Sequence, residues 1–453
     1  MSDHVIRLGR LPSRSMGAKL LLVCGLALLM SIPALFVFAL LMDRTHRASE
    51  VEHEIGGVVG GRQTFLGPVV AVPYRIPAAT NGQAQVGVYV VFPERGSAKV
   101  SSTTELRRRS LFSVPMYKAD LDFNADFDLS GVSTSTPPGA VLDWSRSQIL
   151  VGASDLRGAR SDMTLKVGGK SLVMAPASMG FFAGSDASEI LRFAGADVGA
   201  FAAPGSRLQV EARLKFSGAE HLAVLPFART TTLEMSSDWP SPSFDGGFLP
   251  VARTLTPKGF SASWSVPFVA RGAPGEGTQE VIARLQPSAL GVSFVEPANP
   301  YQSVGRALKY AVLFVGLVFL AYFLFESSTG RRMHPAQYVL VGLAQMIFYL
   351  LLLSIAEQLG FDWAFGVAAV ATVGLISVYA GWVFESRRQG LIALAAFSLL
   401  YGLIYVLMRL EDLALLVGAV SSFAAIAAVM YFTRRINWYD AAEAAPTPAK
   451  EAG

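Results

Sequence analysis

The sequence predicts a membrane α-helical protein with six transmembrane helices, arranged one plus five, and a large inserted all-β, sandwich-like domain. Three observations predict this fold class. The stretch Leu20–Met42 has 23 residues and no Asp, Glu, Lys, Arg or His, which exceeds the roughly 20 residues that cross a bilayer as a helix. A second apolar region occupies residues 304–433, and the segment between the two alternates apolar and polar residues with a period of two.

The composition excludes three other classes of protein. Charged residues make up 16% of the chain, whereas soluble globular domains have roughly 25%. A hydrophobic content of 52% excludes disorder over most of the length. The chain has one cysteine, so it cannot be a disulfide scaffold.

The first helix, residues 20–42, follows a tail of residues 1–19 and is expected to remain as an anchor. Its apolar stretch is longer than the roughly 7–15 residues of a signal-peptide core. Pro33 is expected to kink it, because proline removes a backbone donor and clashes with the preceding turn. The polar residues 43–54 are expected to extend the helix outward until Gly56 and Gly57 end it.

The inserted domain, residues 43–303, shows strand periodicity. Apolar residues alternate with Asp120, Asp122, Asn124, Asp126 and Asp128 in one stretch, and residues 207–216 and 260–268 alternate in the same way. Strands with one apolar face favour antiparallel sheets, and many short strands with Gly and Pro between them favour a sandwich. One large sandwich and two smaller ones both fit this length.

The late apolar region is divided by charged, Gly or Pro residues. It predicts a five-helix transmembrane domain with helices at about 306–326, 335–357, 363–384, 389–408 and 413–433. Lys309 and Arg306 are expected to snorkel and so lengthen the first of these helices. Residues 434–453 form a C-terminal tail, and the Ala-, Pro- and Glu-rich residues 441–453 are expected to be disordered.

Basic residues in the short flanks predict the orientation. Eleven Lys and Arg lie on one side of the predicted helices, and only Arg409 lies in the short loops on the other side. Both termini are therefore expected to be cytoplasmic, and the inserted domain periplasmic. That domain has 24 basic and 24 acidic residues, so the net charge of +4 comes from the membrane part and does not indicate nucleic-acid binding.

Three polar patterns allow a functional and a structural interpretation. Residues 167–171 resemble the end of a phosphate-binding loop but lack its first glycine, so Gly168 and Gly169 are expected to form a two-residue hairpin turn. The aspartate row resembles a calcium loop, but alternate strand residues are about 6.6 Å apart, which favours a solvated face. Four residues share one helical face and could bind a divalent metal or simply face water: His46, Glu50, His53 and Glu54.

Ionisable residues in a membrane protein are functional candidates by default. The candidates are Lys309, Glu326, His334 and Glu357. All four lie near predicted helix ends, where anchoring at the membrane edge is the alternative interpretation. Gln345 lies near mid-membrane and is expected to hydrogen-bond across helices. The sequence has neither a Gly-x-Ser-x-Gly nor a His-Glu-x-x-His motif, and we predict no catalytic residue and no cofactor.

Several segments resemble the CreD family of inner-membrane proteins. The most specific are residues 237–250, which begin Ser-Asp-Trp-Pro-Ser-Pro-Ser-Phe, and residues 334–349, which begin His-Pro-Ala-Gln-Tyr. The resemblance extends from about residue 67 to residue 439. It implies a bacterial inner-membrane location, control by a two-component system, and envelope phenotypes such as colicin tolerance and β-lactam response. It implies no catalytic residues.

The functional hypothesis is therefore a non-enzymatic inner-membrane protein that presents a periplasmic β-rich domain and supports cell envelope integrity. Its expected partners are the lipid bilayer and other envelope proteins, lipid or peptidoglycan, with no nucleic acid. Two alternatives remain open. One is a transporter or lipid-handling protein, and the other is a periplasmic metal sensor or enzyme that uses His46 and His53.

Overall fold

The computed structural model describes residues 16–77, 84–109, 112–132, 136–177, 191–295, 300–329, 331, 333–409 and 414–434. The chain divides into two compact units. We call residues 1–47 with 298–453 the membrane unit, and residues 48–297 the β unit. The predicted disordered tail, residues 441–453, lies outside the described residues.

The described helices of the membrane unit are mostly long and apolar. They are α1 (Met16–Leu29), α2 (Ser31–Val58, which continues into the β unit), α3 (Pro300–Lys309), α4 (Ala311–Thr329), α5 (Pro335–Leu359), α6 (Phe361–Val383), α7 (Arg387–Arg409) and α8 (Ala414–Thr433). Five stretches are long and apolar enough to cross a membrane: Gly17–Val58, α4, α5, α6 and α7. Helix α8 adds 20 residues without Asp, Glu, Lys or Arg. The predicted fold class, membrane helices with an inserted β-rich domain, is confirmed.

The first helix differs from its prediction at its end. Helix α1 ends at Leu29 and α2 begins at Ser31, so the interruption falls just before Pro33, where the missing donor and ring clash act. However, Gly56 and Gly57 do not end the helix. It ends at Val58, and Gly60 and Gly61 take positive φ angles of 99° and 61°.

The predicted helix at 306–326 is two helices. Helix α3 buries Tyr301, Val304 and Ala307 and exposes Lys309 at its end. This one-sided pattern is typical of a helix that lies along an interface rather than across it. Lys309 therefore does not belong to α4, whose 19 residues are long and apolar enough to cross a membrane.

The β unit has 18 strands among its described residues. They are β1 (Gln63–Ile76), β2 (Gln85–Val91), β3 (Arg95–Arg109), β4 (Phe112–Asp128), β5 (Val141–Leu142), β6 (Gln148–Ala153), β7 (Thr164–Val167), β8 (Lys170–Val173), β9 (Ala175–Pro176), β10 (Arg192–Asp197), β11 (Arg207–Ala219), β12 (His221–Leu225), β13 (Thr230–Ser237), β14 (Pro242–Gly246), β15 (Ala252–Thr256), β16 (Gly259–Val266), β17 (Glu276–Thr278) and β18 (Leu290–Phe294).

These strands form two sheets over one core. The ten-stranded sheet has the path β14-β18-β12-β1-β6-β10-β9, with β2, β5 and β17 beside it, and the eight-stranded sheet runs β15-β16-β13-β3-β4-β11-β7-β8. One cluster of buried side chains includes both sheets, and Phe65 of one contacts Phe216 of the other at 5.0 Å between ring centroids. The domain is therefore one large sandwich rather than two.

The prediction of antiparallel sheets is wrong for two strand pairs. Strand β1 pairs in parallel with β12, and β3 pairs in parallel with β13. Parallel neighbours need a long crossover connection, and residues 77–220 lie between β1 and β12 while residues 110–229 lie between β3 and β13. A period-two pattern gives the face of a strand but not its partner.

The two local structural interpretations hold. Strands β7 and β8 form a hairpin in which Gly168 and Gly169 have φ angles of 56° and 79°, as a two-residue turn requires. The aspartate row lies on β4, where Asp122 has Lys99 opposite it on β3 and Arg213 opposite it on β11. The row is thus a solvated face neutralised from both sides.

Candidate functional site

A buried ionic cluster lies at one end of the membrane unit. Glu326, near the end of α4, is 4% exposed. One carboxylate oxygen, Oε1, pairs with Lys19 Nζ of α1, and the other, Oε2, accepts a hydrogen bond from Tyr338 Oη of α5 at 3.1 Å. Lys19 Nζ also donates to the backbone oxygen of Met333 at 3.1 Å. The cluster therefore joins α1, α4 and α5. We call the end of the membrane unit at which it lies the Glu326 end.

Both carboxylate oxygens of Glu326 already have a donor within the cluster. Removing a carboxylate and an ammonium group from water costs several kcal/mol per ion, which only close pairing and further hydrogen bonds offset. The aromatic rings of Phe319 and Tyr322 lie 5.6 and 6.5 Å from the Tyr338 ring, between centroids, and pack around the donor to Glu326. This arrangement suits fixing helices in place more than binding a free ion.

His334 caps the beginning of α5. The Nδ1 atom of His334 accepts a hydrogen bond from the backbone nitrogen of Ala336 at 3.2 Å, and Gln337 Oε1 accepts one from the backbone nitrogen of His334 at 2.9 Å. Pro335 occupies the first helical position, where its missing donor costs nothing. This reciprocal cap fixes where α5 begins, and Tyr338 follows one turn later.

A second carboxylate lies at the other end of α5. Glu357 Oε1 accepts a hydrogen bond from Tyr301 Oη of α3 at 3.0 Å. Burial and the neighbouring Glu357 raise the pKa of Tyr301, and Arg44 of α2 opposes the rise. We call this the Glu357 end. Glu357 lies 19 positions after Tyr338, which places the two ends about 28 Å apart along α5.

The other candidate residues with described side chains are exposed on helices α2 and α3. Lys309 is exposed at the end of α3, and His46, Glu50 and Glu54 are exposed on α2. The side chain of His53 lies outside the described set. Among the side chains that are described, no group of three or more His, Cys, Asp or Glu could bind a metal ion.

Gln345 is 2% exposed, and its side chain interacts with that of Tyr401 of α7. Its Oε1 atom has no partner among the described residues. The contact links α5 to α7 and is typical of polar packing between membrane helices.

A polar cluster in the β unit was not predicted. His221 Nε2 lies 3.0 Å from Asp245 Oδ1, and Ser293 Oγ donates to Asp245 Oδ2 at 2.5 Å. Burial disfavours the charged carboxylate, but the hydrogen bonds from His221 and Ser293 outweigh it, so the pKa of Asp245 lies below its usual value. Because Asp245 lies between the other two, the order is not that of a catalytic triad, in which the histidine contacts the serine.

The β unit also contains a fully buried cation that the sequence did not predict. Arg271 is 0% exposed, its Nε donates to the backbone oxygen of Pro226 at 2.9 Å, and its guanidinium carbon lies 3.9 Å from the centre of the Phe92 ring. Burial, with a smaller effect of Arg229, lowers the pKa of Arg271 to about 9. It therefore remains a cation at neutral pH, stabilised by carbonyl groups and a ring face.

The motif in residues 237–250 has structural roles. Asp238 Oδ1 accepts hydrogen bonds from the backbone nitrogen and hydroxyl of Thr104 at 2.8 and 2.7 Å. Trp239 Nε1 donates to the backbone oxygens of Ser241 and Val295 at 3.1 and 3.2 Å. These contacts fix the passage of the chain from β13 in one sheet to β14 in the other.

Sequence comparison agrees with this architecture. A family model described as inner membrane protein CreD matches residues 15–439. The chain belongs to the CreD family. The match covers α1, the whole β unit and the later helices.

One curated member of the CreD family aligns over almost its full length. This relative, the inner membrane protein CreD of Escherichia coli (strain K12), is 31% identical over 432 residues, which is 93% of this chain and 93% of the relative. The chain is accordingly an inner-membrane protein with several membrane-spanning helices.

The missed contacts had a weak signal in the sequence. Lys19 lies in the basic flank before the first predicted helix and Glu326 near the end of a later one, and both are on the same predicted side of the membrane. Opposite charges beside two apolar segments on one side are candidates for pairing. However, 307 residues separate them, and no local pattern selects this pair from the other charges on that side.

Proposed function

We propose that the chain is a non-enzymatic inner-membrane protein that presents the β unit in the periplasm and supports the integrity of the cell envelope. The observation that carries the proposal is the Lys19–Glu326 pair. It joins the membrane helix that precedes the β unit to helices that follow it. The membrane unit then acts as one base to which both ends of the inserted unit are connected.

The proposed orientation puts both termini in the cytoplasm. It rests on the excess of Lys and Arg in the flanks that include residues 7–19, 331–332, 387–388 and 434–435. Alkaline phosphatase fused after Ser237 should be active, because the enzyme matures only outside the cytoplasm. The same enzyme fused after Arg434 should be inactive. The reverse pattern would overturn the orientation.

The absence of catalysis is proposed from the state of the buried polar groups. The two oxygens of Glu326 and the two oxygens of Asp245 already have partners. Neither cluster places a nucleophile against a free base, which covalent catalysis requires. The β unit would instead act by contact with lipid, peptidoglycan or another envelope protein, and in-cell photocrosslinking from exposed positions such as Asp122 and Ser261 would identify which.

The functional test uses a strain that lacks the gene. The strain should become more permeable to a dye that an intact envelope excludes, or more sensitive to detergent. The full chain should restore the envelope barrier. A chain in which residues 62–295 are replaced by a flexible linker should insert in the membrane without restoring it. Full rescue by that chain would show that the β unit is dispensable and would refute the proposal.

The metal-sensor alternative has a separate test. Replacement of His46 and His53 by Ala should leave the envelope phenotype unchanged under our proposal. If the double variant failed to support the envelope, and neither histidine restored that function when returned alone, the metal function would be favoured instead.

A further inference from the structure

An apolar groove lies between α5 and α6 on the surface of the membrane unit. Its volume is about 430 Å³. Its rims are exposed aliphatic side chains, including Leu343 (40%), Ile347 (53%) and Leu375 (60%). Its floor is buried and consists of Val341, Thr372 and Ile376. Ala344 and Ala371 are small, which leaves room between the rims.

The groove lies entirely on two segments able to span a bilayer. Its occupant in the membrane is therefore a hydrocarbon chain or another helix. On α5 the groove extends from Leu340 to Leu351, a length of about 16 Å at the helical rise per residue. A helix of that length and the usual diameter of about 10 Å has a volume of roughly 1,200 Å³. The groove volume is about a third of this, so the groove cannot enclose a helix, whereas one extended hydrocarbon chain can lie in it.

The charge at one end of the groove indicates the headgroup. Helices α5 and α6 are antiparallel neighbours joined at Gly360, so Tyr379 of α6 lies toward the start of α5, at the Glu326 end. Arg387 and Arg388 are exposed at the beginning of α7, on the same side. Arg331 pairs with Glu385 at 2.7 Å, so these four described side chains leave an excess of positive charge. Basic clusters beside spanning helices attract anionic lipid headgroups.

We propose that the groove binds one acyl chain of an anionic phospholipid whose phosphate is held by arginines at the Glu326 end. Tyr379 lies at the boundary between chain and headgroup, where amphipathic rings are favoured. The proposal goes beyond the envelope function above and does not depend on it. It concerns a lipid retained by the membrane unit, whatever the β unit contacts.

The test uses the full chain, purified from vesicles of equal parts phosphatidylglycerol and phosphatidylcholine and examined by native mass spectrometry. We expect at least fivefold more retained phosphatidylglycerol than phosphatidylcholine. Leu375→Trp fills the groove and should lower total retained lipid at least fivefold. Leu399→Trp, at a position 78% exposed on α7, is the matched control and should leave it unchanged. Ala344→Leu is the second groove variant, should Leu375→Trp fail to fold.

A separate variant tests the preference for the anionic headgroup. Replacement of Arg387 and Arg388 by Gln should abolish the preference for phosphatidylglycerol without preventing chain binding. Equal retention of the two lipids by the unaltered chain would overturn the anionic assignment. Retention by both groove variants equal to that of Leu399→Trp would overturn the site. A smaller oligomer for Leu375→Trp than for the unaltered chain, with lipid unaffected, would identify the groove as a contact between copies and also overturn the lipid proposal.

Discussion

Lys19 and Glu326 form an ion pair inside the membrane unit although 307 residues separate them in sequence. The side chains are 22% and 4% exposed, so the carboxylate depends on its partners. The pair holds the N-terminal helix against helices that follow the whole β unit. It thereby makes the two membrane parts of a CreD-family chain into one structural base.

The Tyr338 hydroxyl should stabilise this base measurably. Tyr338→Phe removes the donor to Glu326 Oε2, and hydrogen bonds to charged groups contribute about 1.5–3 kcal/mol. We expect a lower melting temperature of the detergent-solubilised chain. Tyr310→Phe, a change of the same chemistry at a half-buried position, is the control and should shift it little. Equal shifts for the two variants would contradict the role given to Tyr338.

Exposed ion pairs should matter much less. Arg331 and Glu385 are 47% and 70% exposed, and exposed pairs contribute about 0–1 kcal/mol. Glu385→Gln should therefore leave the melting temperature almost unchanged, whereas Glu326→Gln should lower it by the equivalent of about 3–5 kcal/mol, because a buried partner is left unpaired. The comparison by thermal unfolding in one detergent separates the buried pair from the general effect of losing a carboxylate.

The β unit should lose stability in acid partly through Asp245. The pKa of Asp245 is lowered in the folded chain, so its contribution is complete above the unfolded value of about 3.9 and is lost as pH falls through the folded value. Asp245→Asn should be less stable than the unaltered chain at pH 7, and the difference should shrink below pH 4. Hydrogen exchange of β14 and β18 at several pH values measures it, and a constant difference would contradict this account.

Two glycines with positive φ should differ in what they tolerate. Gly246 has φ of 101°, and a Cβ atom there would lie 2.1 Å from the backbone oxygen of Ala289. Gly169 has φ of 79° with nothing within 4 Å of such an atom. Gly169→Ala should cost about 1–2 kcal/mol from the backbone alone, and Gly246→Ala clearly more. Thermal unfolding of the β unit within the full chain gives the comparison, and equal losses would contradict it.

The sequence predicts the parts of this fold that depend on neighbours in the chain. The alternation in residues 119–129 and 207–216 gives strands with the expected faces, and the turn at Gly168 and Gly169 needs only four to six residues to specify it. Spanning helices are found because each has its own apolar length. These features need no knowledge of which segment meets which.

The remaining features depend on contacts between distant segments. The parallel pairings of β1 with β12 and of β3 with β13 follow from topology and leave no mark in either strand. The separation of α3 from α4 is not predicted, because it depends on which face of α3 is buried, and Lys309 lies on the exposed face. Lys19, Glu326 and Tyr338 each look like ordinary membrane-edge residues until three helices bring them together.

The central claim, that a buried ion pair unites the two membrane parts and so sustains the envelope role, is tested most directly by charge exchange. In the gene-deletion strain, Lys19→Glu alone and Glu326→Lys alone should each fail to restore the envelope barrier, since each buries like charges together. The double exchange should restore at least half of the barrier at matched protein levels, because the pair is rebuilt in reverse. Full rescue by either single variant, or no recovery in the double variant, would contradict the account.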